Sequence, residues 1–311
     1  MKPLHRSVHD YVKLRRSLGY KYRTQERMLR EFVRFMATHG FAHITTTVAL
    51  RFAFARPESQ ASTKAQRYAE VRRFARDCRQ HEDPLTEQPP PNRVSGAVQR
   101  AKPYFCSEPE IQRLLAAAQQ YRTPKTLLPV LYHCLFGLLA VTGMRVGEAL
   151  GLEDQDIDWG NALLTIRGAK FGTDRLVPLH PSVLARIREY QITRDRLLGR
   201  SRSRSARLFV TSRGTALSYI GVYYVFLRVR RMAGLDRPVG LRMHHLRHRF
   251  AVETLRRWYQ CGEPIDRRLP VLATYLGHAT MAGTYWYLSC TPALMAAAAE
   301  RLDHRWEGGQ S

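Results

Sequence analysis

No stretch constrains this chain more than Glu82-Asp83-Pro84 through Pro89-Pro90-Pro91-Asn92. Proline fixes φ and offers no N–H, so neither a helix nor a central strand runs through such a segment. It reads as an extended linker. A length of 311 residues also exceeds what one hydrophobic core usually organises. Two domains are therefore expected: residues 1–82, a linker at 83–104, a larger domain at 105–290, and a C-terminal segment at 291–311.

Before the linker, apolar residues recur at helical spacing, as in Tyr11, Leu14 and Leu18, then Met28, Leu29, Phe32, Phe35 and Met36. Gly19 and Gly40 punctuate this pattern, and Thr45-Thr46-Thr47 or Ser62-Thr63 are placed to cap later helices. A four-helix unit is expected. On its fourth helix Arg72, Arg73, Arg76 and Arg79 stand three and four residues apart. They form either a solvated face or a row for DNA backbone contact.

After the linker, Ser107-Glu108-Pro109-Glu110 has the form of a capping box, opening a helix through Ala118. A second helix is predicted from Pro124 to Val141. Ala162-Leu163-Leu164-Thr165-Ile166 and Arg175-Leu176-Val177-Pro178-Leu179 then read as two strands joined by a turn that holds Lys170. Val183 to Leu198 is helical in pattern, and Gly199-Arg200-Ser201-Arg202-Ser203-Arg204 is a basic loop, either solvated or in loose phosphate contact. The fold class expected is mostly α with a small β-sheet (α+β).

The formal charge of +24 implies a polyanionic partner. No apolar run reaches membrane-spanning length, and Met1-Lys2-Pro3-Leu4-His5 does not open a signal peptide, so nucleic acid is favoured over an anionic membrane surface. The excess is shared: residues 1–100 hold 20 basic and 9 acidic groups, leaving 30 and 17 for the rest. Both domains are therefore expected to face the same polyanion. Five cysteines, without a C-x-x-C pair, indicate neither a disulfide framework nor a zinc site, and fit a reducing cytoplasm.

Four short strings narrow the chemistry: Thr142-Gly143-Met144-Arg145-Val146-Gly147-Glu148, His244-His245-Leu246-Arg247-His248, Leu276-Gly277-His278, and Thr284-Tyr285-Trp286-Tyr287. Their content and order resemble the catalytic boxes of the tyrosine recombinase (phage integrase) family, well over residues 105–295 and by general character before that. The resemblance implies an N-terminal helical SAM-like core-binding domain that clamps DNA, joined to a mixed α/β catalytic domain. It also implies site-specific cutting and rejoining of double-stranded DNA through a 3'-phosphotyrosyl intermediate, without metal or other cofactor. The setting would be integration, excision or transposition of a mobile element. Partners implied are a homo-tetramer on two DNA sites and accessory or sister recombinases, with no membrane; the location is cytoplasmic and, on DNA, nucleoid-associated.

Carried onto this sequence, the resemblance gives Tyr287 the role of nucleophile, nine residues after His278, with Tyr285 as the alternative. A tyrosine hydroxyl of pKa near 10 needs a base or a positive field to attack phosphorus. Arg145 and Arg247 suit that field, because a guanidinium stays charged and presents a planar fork to phosphate oxygens. Lys170 takes the general-acid role toward the leaving 5'-oxygen, although Gly168-Ala169-Lys170-Phe171-Gly172 departs from the family's Gly-Lys-Gly form. His244 assists proton transfer, His278 donates to the scissile phosphate, and His245 and His248 read as capping or packing histidines. Glu148 either orients Arg145 or complements a helix N-terminus. Asp154, Asp156 and Asp158 alternate as metal ligands sometimes do, but the family has a structural turn there, so no metal is expected. No P-loop, H-E-x-x-H or G-x-S-x-G is present. Two rivals stay open: a type IB topoisomerase that relaxes DNA, and a non-catalytic DNA-binding accessory protein. Leu294, Met295, Ala298, Ala299 and Leu302 form an amphipathic pattern that packs on its own domain or docks on a neighbouring protomer.

Overall fold

The computed structural model describes residues 4–96, 104–122, 126–167, 174–199, 205–236, 240–278 and 280–289. The chain divides into two compact units, residues 1–101 and 102–311.

The first unit is four helices: α1 (Leu4–Ser17), α2 (Arg23–Thr38), α3 (Thr46–Phe54) and α4 (Ala61–His81). Their apolar stripes meet in one core in which Leu29, Phe32, Phe52, Val71 and Phe74 are fully buried. Thr45 caps α3 by accepting from the Val48 N–H at 3.2 Å, whereas α4 starts without a side-chain cap.

The proline-rich segment is not a free extended linker over its first half. Asp83 accepts from the Leu85 N–H and the Thr86 hydroxyl, the Glu87 N–H donates to the Ile44 carbonyl, and the Pro89 and Pro90 carbonyls accept from Arg72 Nε and the Tyr68 hydroxyl. Proline carbonyls remain good acceptors, so α4 holds the segment by side-chain donors where no ladder is available.

The second unit begins with α5 (Glu108–Gln119), opened by the Ser107/Glu110 capping box, and α6 (Leu128–Thr142). The short α7 (Val146–Ala149) and a 3-10 turn (Asp154–Asp156) lead to an antiparallel sheet in the order β1 (Ile157–Asp158), β2 (Leu163–Ile166), β3 (Arg175–Pro178). Leu163 pairs with Pro178 and Ile166 with Arg175 across β2 and β3. Among the described residues the sheet thus has three strands where two were expected; two residues suffice for β1, too few to read from alternation. Then come α8 (Pro181–Leu198), α9 (Tyr219–Met232), α10 (Met243–Gln260), α11 (Ile265–Leu276) and α12 (Ala282–Ser289). Helix α6 is apolar on nearly every face because α5, α8 and α10 pack around it. Its C-terminal end therefore lies inside the unit, next to α10.

Among the described residues no helix is long and apolar enough to cross a membrane. The Arg200–Arg204 loop and the segment 291–311 lie outside the described residues.

Candidate active site

Two helix ends form the floor. α6 stops at Gly143, which adopts φ 62°; a Cβ there would sit 2.5 Å from Phe250 Cδ1, so only glycine fits the left-handed turn. α11 stops at Gly277 (φ 65°), where a Cβ would approach Arg175 Nη1 at 3.0 Å and Arg145 Nη1 at 3.3 Å. These two stops leave backbone carbonyls facing a common space, and the arginines fill it.

Arg247, on the first turns of α10, is 2% exposed. Its Nη1 donates to the Gly143 carbonyl at 2.8 Å and its Nη2 to the Leu276 carbonyl at 2.6 Å. A cation at two helix C-termini is favourably placed, since both ends carry partial negative charge. Burial, reinforced by the nearby Arg145 charge, lowers its pKa to about 10, which leaves it protonated at neutral pH.

Arg145 precedes α7 and donates from Nη2 to the Gly277 carbonyl at 2.7 Å and from Nη1 to Glu148 at 2.8 Å. Its side chain is 31% exposed, so this guanidinium is open where Arg247 is closed. Glu148 accepts from the Arg145 N–H as well, at 2.8 Å, and therefore both caps the turn and holds the side chain. A third arginine, Arg175 on β3, forks onto the same carboxylate at 2.6 and 3.1 Å. Burial acts to raise the Glu148 pKa, but the bonds from Arg175 and Arg145 outweigh it and bring the value down to about 2.

The histidines separate by role. His245 Nδ1 accepts from the Arg242 N–H at 3.1 Å, capping α10, while its ring stacks near Tyr104. His244 is exposed, with its ring 4.5 Å from that of His248. His278 follows the α11 stop, with Nδ1 bonded to the Thr284 hydroxyl at 2.7 Å. Burial, then the charges of Arg247 and Arg145, lowers its pKa to about 4, so it is neutral at pH 7.

Tyr287, on α12, is 2% exposed and Tyr285 is 53% exposed. The Tyr287 ring lies 6.2 Å from the His278 ring, nearly parallel to it, and its hydroxyl is hydrogen-bonded to His248 Nδ1 at 3.1 Å. His248 is thus more than the packing histidine read from the sequence.

The structure brings together Arg145, Glu148, Arg247, His278 and Tyr287, with His244 at the exposed side. Lys170 lies outside the described residues, between β2 and β3 in sequence. The arginines of α4 belong to the first unit. Arg72 is half-buried and tied to Pro89 at 2.9 Å, while Arg73, paired with the buried Glu70, is exposed together with Arg76 and Arg79. Of the three aspartates, Asp154 pairs with Arg194 at 2.8 Å and Asp156 with Arg167 at 2.6 Å, and Asp158 caps the Gly160–Asn161 turn; each holds a different part of the fold.

Sequence reasoning missed Arg175 and the contact of His248. Arg175 shares strand parity with the buried Val177, while Leu176 between them is exposed. A charged residue on the inward face of a strand signals a buried partner. His248 lies one turn after His244, and that spacing was available too.

Comparison with known proteins identifies the family. Residues 105–293 match the model of the phage integrase family. A putative integrase/recombinase, y4rB, of Sinorhizobium fredii (strain NBRC 101917 / NGR234) is 42% identical over 313 residues, covering 99% of each chain. XerH site-specific recombinase bound to palindromic difH substrate shares the fold with a TM-score of 0.69 at 20% identity, over 90% of this chain and 79% of that one. The Tn1549 transposon integrase in complex with transposon right end DNA does so with a TM-score of 0.62 at 16% identity, over 96% and 99%. A family match over more than half the chain, a full-length relative, and an arginine–histidine–tyrosine cluster built on two helix ends lead to one assignment: the chain belongs to the phage integrase family, the tyrosine-type site-specific DNA recombinases.

Proposed function

We propose that this protein cuts and rejoins double-stranded DNA at specific sites through a 3'-phosphotyrosyl intermediate on Tyr287, serving integration, excision or transposition of a mobile element. One observation carries the reading: Arg145 and Arg247 reach the carbonyls of adjacent residues, Gly277 and Leu276, immediately before His278, whose ring lies 6.2 Å from that of Tyr287. A phosphodiester among these groups meets the open guanidinium of Arg145, the enclosed charge of Arg247 and the nucleophile together. Arg145 is the open fork that grips a non-bridging oxygen, Arg247 supplies fixed positive charge beneath it, and Glu148 orients Arg145. Lys170 provides the proton for the leaving 5'-oxygen, with His244 assisting proton transfer and His278 donating to the phosphate.

Arg72, Arg73, Arg76 and Arg79, of which the last three are exposed, contact the DNA backbone from the first unit. The protein works in the cytoplasm, associated with DNA. The full-length similarity to a putative integrase/recombinase, and the fold shared with a transposon integrase, support the mobile-element setting.

The test uses a DNA duplex nicked just beyond the scissile phosphate, so that the freed fragment diffuses away and the adduct accumulates. The wild-type protein should become trapped on the DNA, and Tyr287→Phe should bind but form no adduct, while Tyr285→Phe still forms it. Mapping the adduct to Tyr285 overturns the assignment. Relaxation of any supercoiled plasmid regardless of sequence marks the topoisomerase alternative, and absence of all adduct the non-catalytic one.

A further inference from the structure

We infer that His248 is a further catalytic residue: its Nδ1 holds the Tyr287 hydroxyl and takes its proton as the oxygen attacks phosphorus. This rests on the reading of Tyr287 as nucleophile. The geometry is direct. His248 Nδ1 lies 3.1 Å from Tyr287 Oη, within the reach a general base needs. The two rings are 5.5 Å apart and inclined at 62°, and Trp286 packs on the same imidazole at 5.1 Å. α10 places His248 one residue after Arg247 and one helical turn after His244, so the anchoring of Arg247 to two helix ends also fixes where His248 stands. His278, the other histidine beside the tyrosine, has its Nδ1 engaged by the Thr284 hydroxyl instead.

Charge sets the protonation state that the geometry uses. Burial first, then the neighbouring His244, His245, Arg247 and His278, holds His248 neutral, with a pKa of about 3. A neutral imidazole has a lone pair to accept the tyrosine O–H. Burial is the larger cause of that low value; the negative charge of an arriving phosphodiester offsets the smaller part due to the neighbouring positive groups and raises the basicity of His248 by that much. In the step, the bond from Tyr287 Oη to phosphorus forms and the bond from phosphorus to the 5'-oxygen breaks. The tyrosine proton passes to His248 Nδ1, and the 5'-oxygen takes a proton from Lys170. On rejoining, the attacking 5'-hydroxyl returns its proton to Lys170 and His248 returns its own to the departing tyrosine oxygen.

The experiment measures adduct formation on the nicked duplex for the wild type, His248→Asn, His248→Ala and Tyr287→Phe, with DNA binding measured alongside. Asparagine places an amide near the Nδ1 position and keeps a hydrogen bond without basicity. His248→Asn should bind DNA within about threefold of wild type and form adduct on the order of 100-fold more slowly. Added imidazole should speed His248→Ala by about tenfold or more, a rescue that a packing role does not give. A His248→Asn protein that forms adduct within about threefold of the wild-type rate overturns the inference, even where His248→Ala fails to fold. Adduct on Tyr287→Phe overturns the nucleophile reading itself, so the two failures are distinct.

Discussion

At the scale of single residues, Arg145 and Arg247 are alike in chemistry and unlike in situation. Arg247 is enclosed and satisfies two main-chain carbonyls from different helices, whereas Arg145 is partly open and satisfies one. Arg247→Ala leaves both carbonyls without their partner in a buried space, and should lower stability by about 3 kcal/mol. Arg145→Ala should cost about 1 kcal/mol. Both should abolish adduct formation, because guanidinium donors act chiefly on charge that develops in the transition state. Urea denaturation of the two variants checks this; equal losses of stability would contradict the structural role assigned to Arg247. The sequence presents both arginines in motifs of equal standing. Their difference in burial arises only once α6 and α11 deliver their C-terminal ends to α10.

Helix α10 gathers His244, His245, Arg247 and His248 within its first six residues. Four histidines of this neighbourhood, His244, His245, His248 and His278, are held below the ordinary value of 6.5, His244 by desolvation and then Arg247 and Arg145. Burial followed by Arg242 and His244 takes His245 to about 4. Burial followed by its histidine and arginine neighbours takes His248 to about 3, and burial with Arg247 and Arg145 takes His278 to about 4. The unfolded chain therefore binds protons below pH 6.5 that the folded chain refuses. Stability should fall as pH drops from about 6.5 toward about 4, each group contributing up to about 1.4 kcal/mol per pH unit. Measured between pH 7 and 5, where few carboxylates titrate, the decline should be shallower for His248→Asn by one group's share. An unchanged slope in that variant would place the effect elsewhere. α10 was legible in the sequence through its motif; that one of its histidines caps it, one faces solvent and one meets a tyrosine 39 residues later was not.

For the whole molecule, net charge sets the expectation. With +24 spread over both halves of the sequence, and Arg76 and Arg79 exposed, binding should be carried largely by phosphate contacts. If it involves about 6 to 10 of them, affinity should fall by roughly a thousandfold or more between 50 and 200 mM salt. A salt-insensitive titration would count against a backbone-driven complex. Assembly is the second property at this scale. The amphipathic pattern at 291–302 packs on its own domain or docks on a neighbouring protomer, and the second alternative ties assembly to the C-terminal segment. Deleting residues 291–311 should then reduce higher-order complexes in gel-shift assays while sparing monomer binding, and undiminished tetramer would refute the docking.

The sequence by itself determined the helical unit before the prolines, the three-residue register of H-x-x-R, the capping box at Ser107 and the residue types available for the site. Those features follow from local spacing and side-chain chemistry, which a linear chain carries in full. Only the tertiary structure decided that Glu148 serves Arg175 as well as Arg145, that Arg72 holds Pro89 instead of facing outward with Arg76, and that Tyr287 rests against His248. Each is a choice of partner across 17 to 39 residues of sequence, apart from the local Glu148–Arg145 bond. A buried polar group takes whichever partner the packing of separate elements brings within 3 Å or so, and spacing along the chain does not encode that meeting.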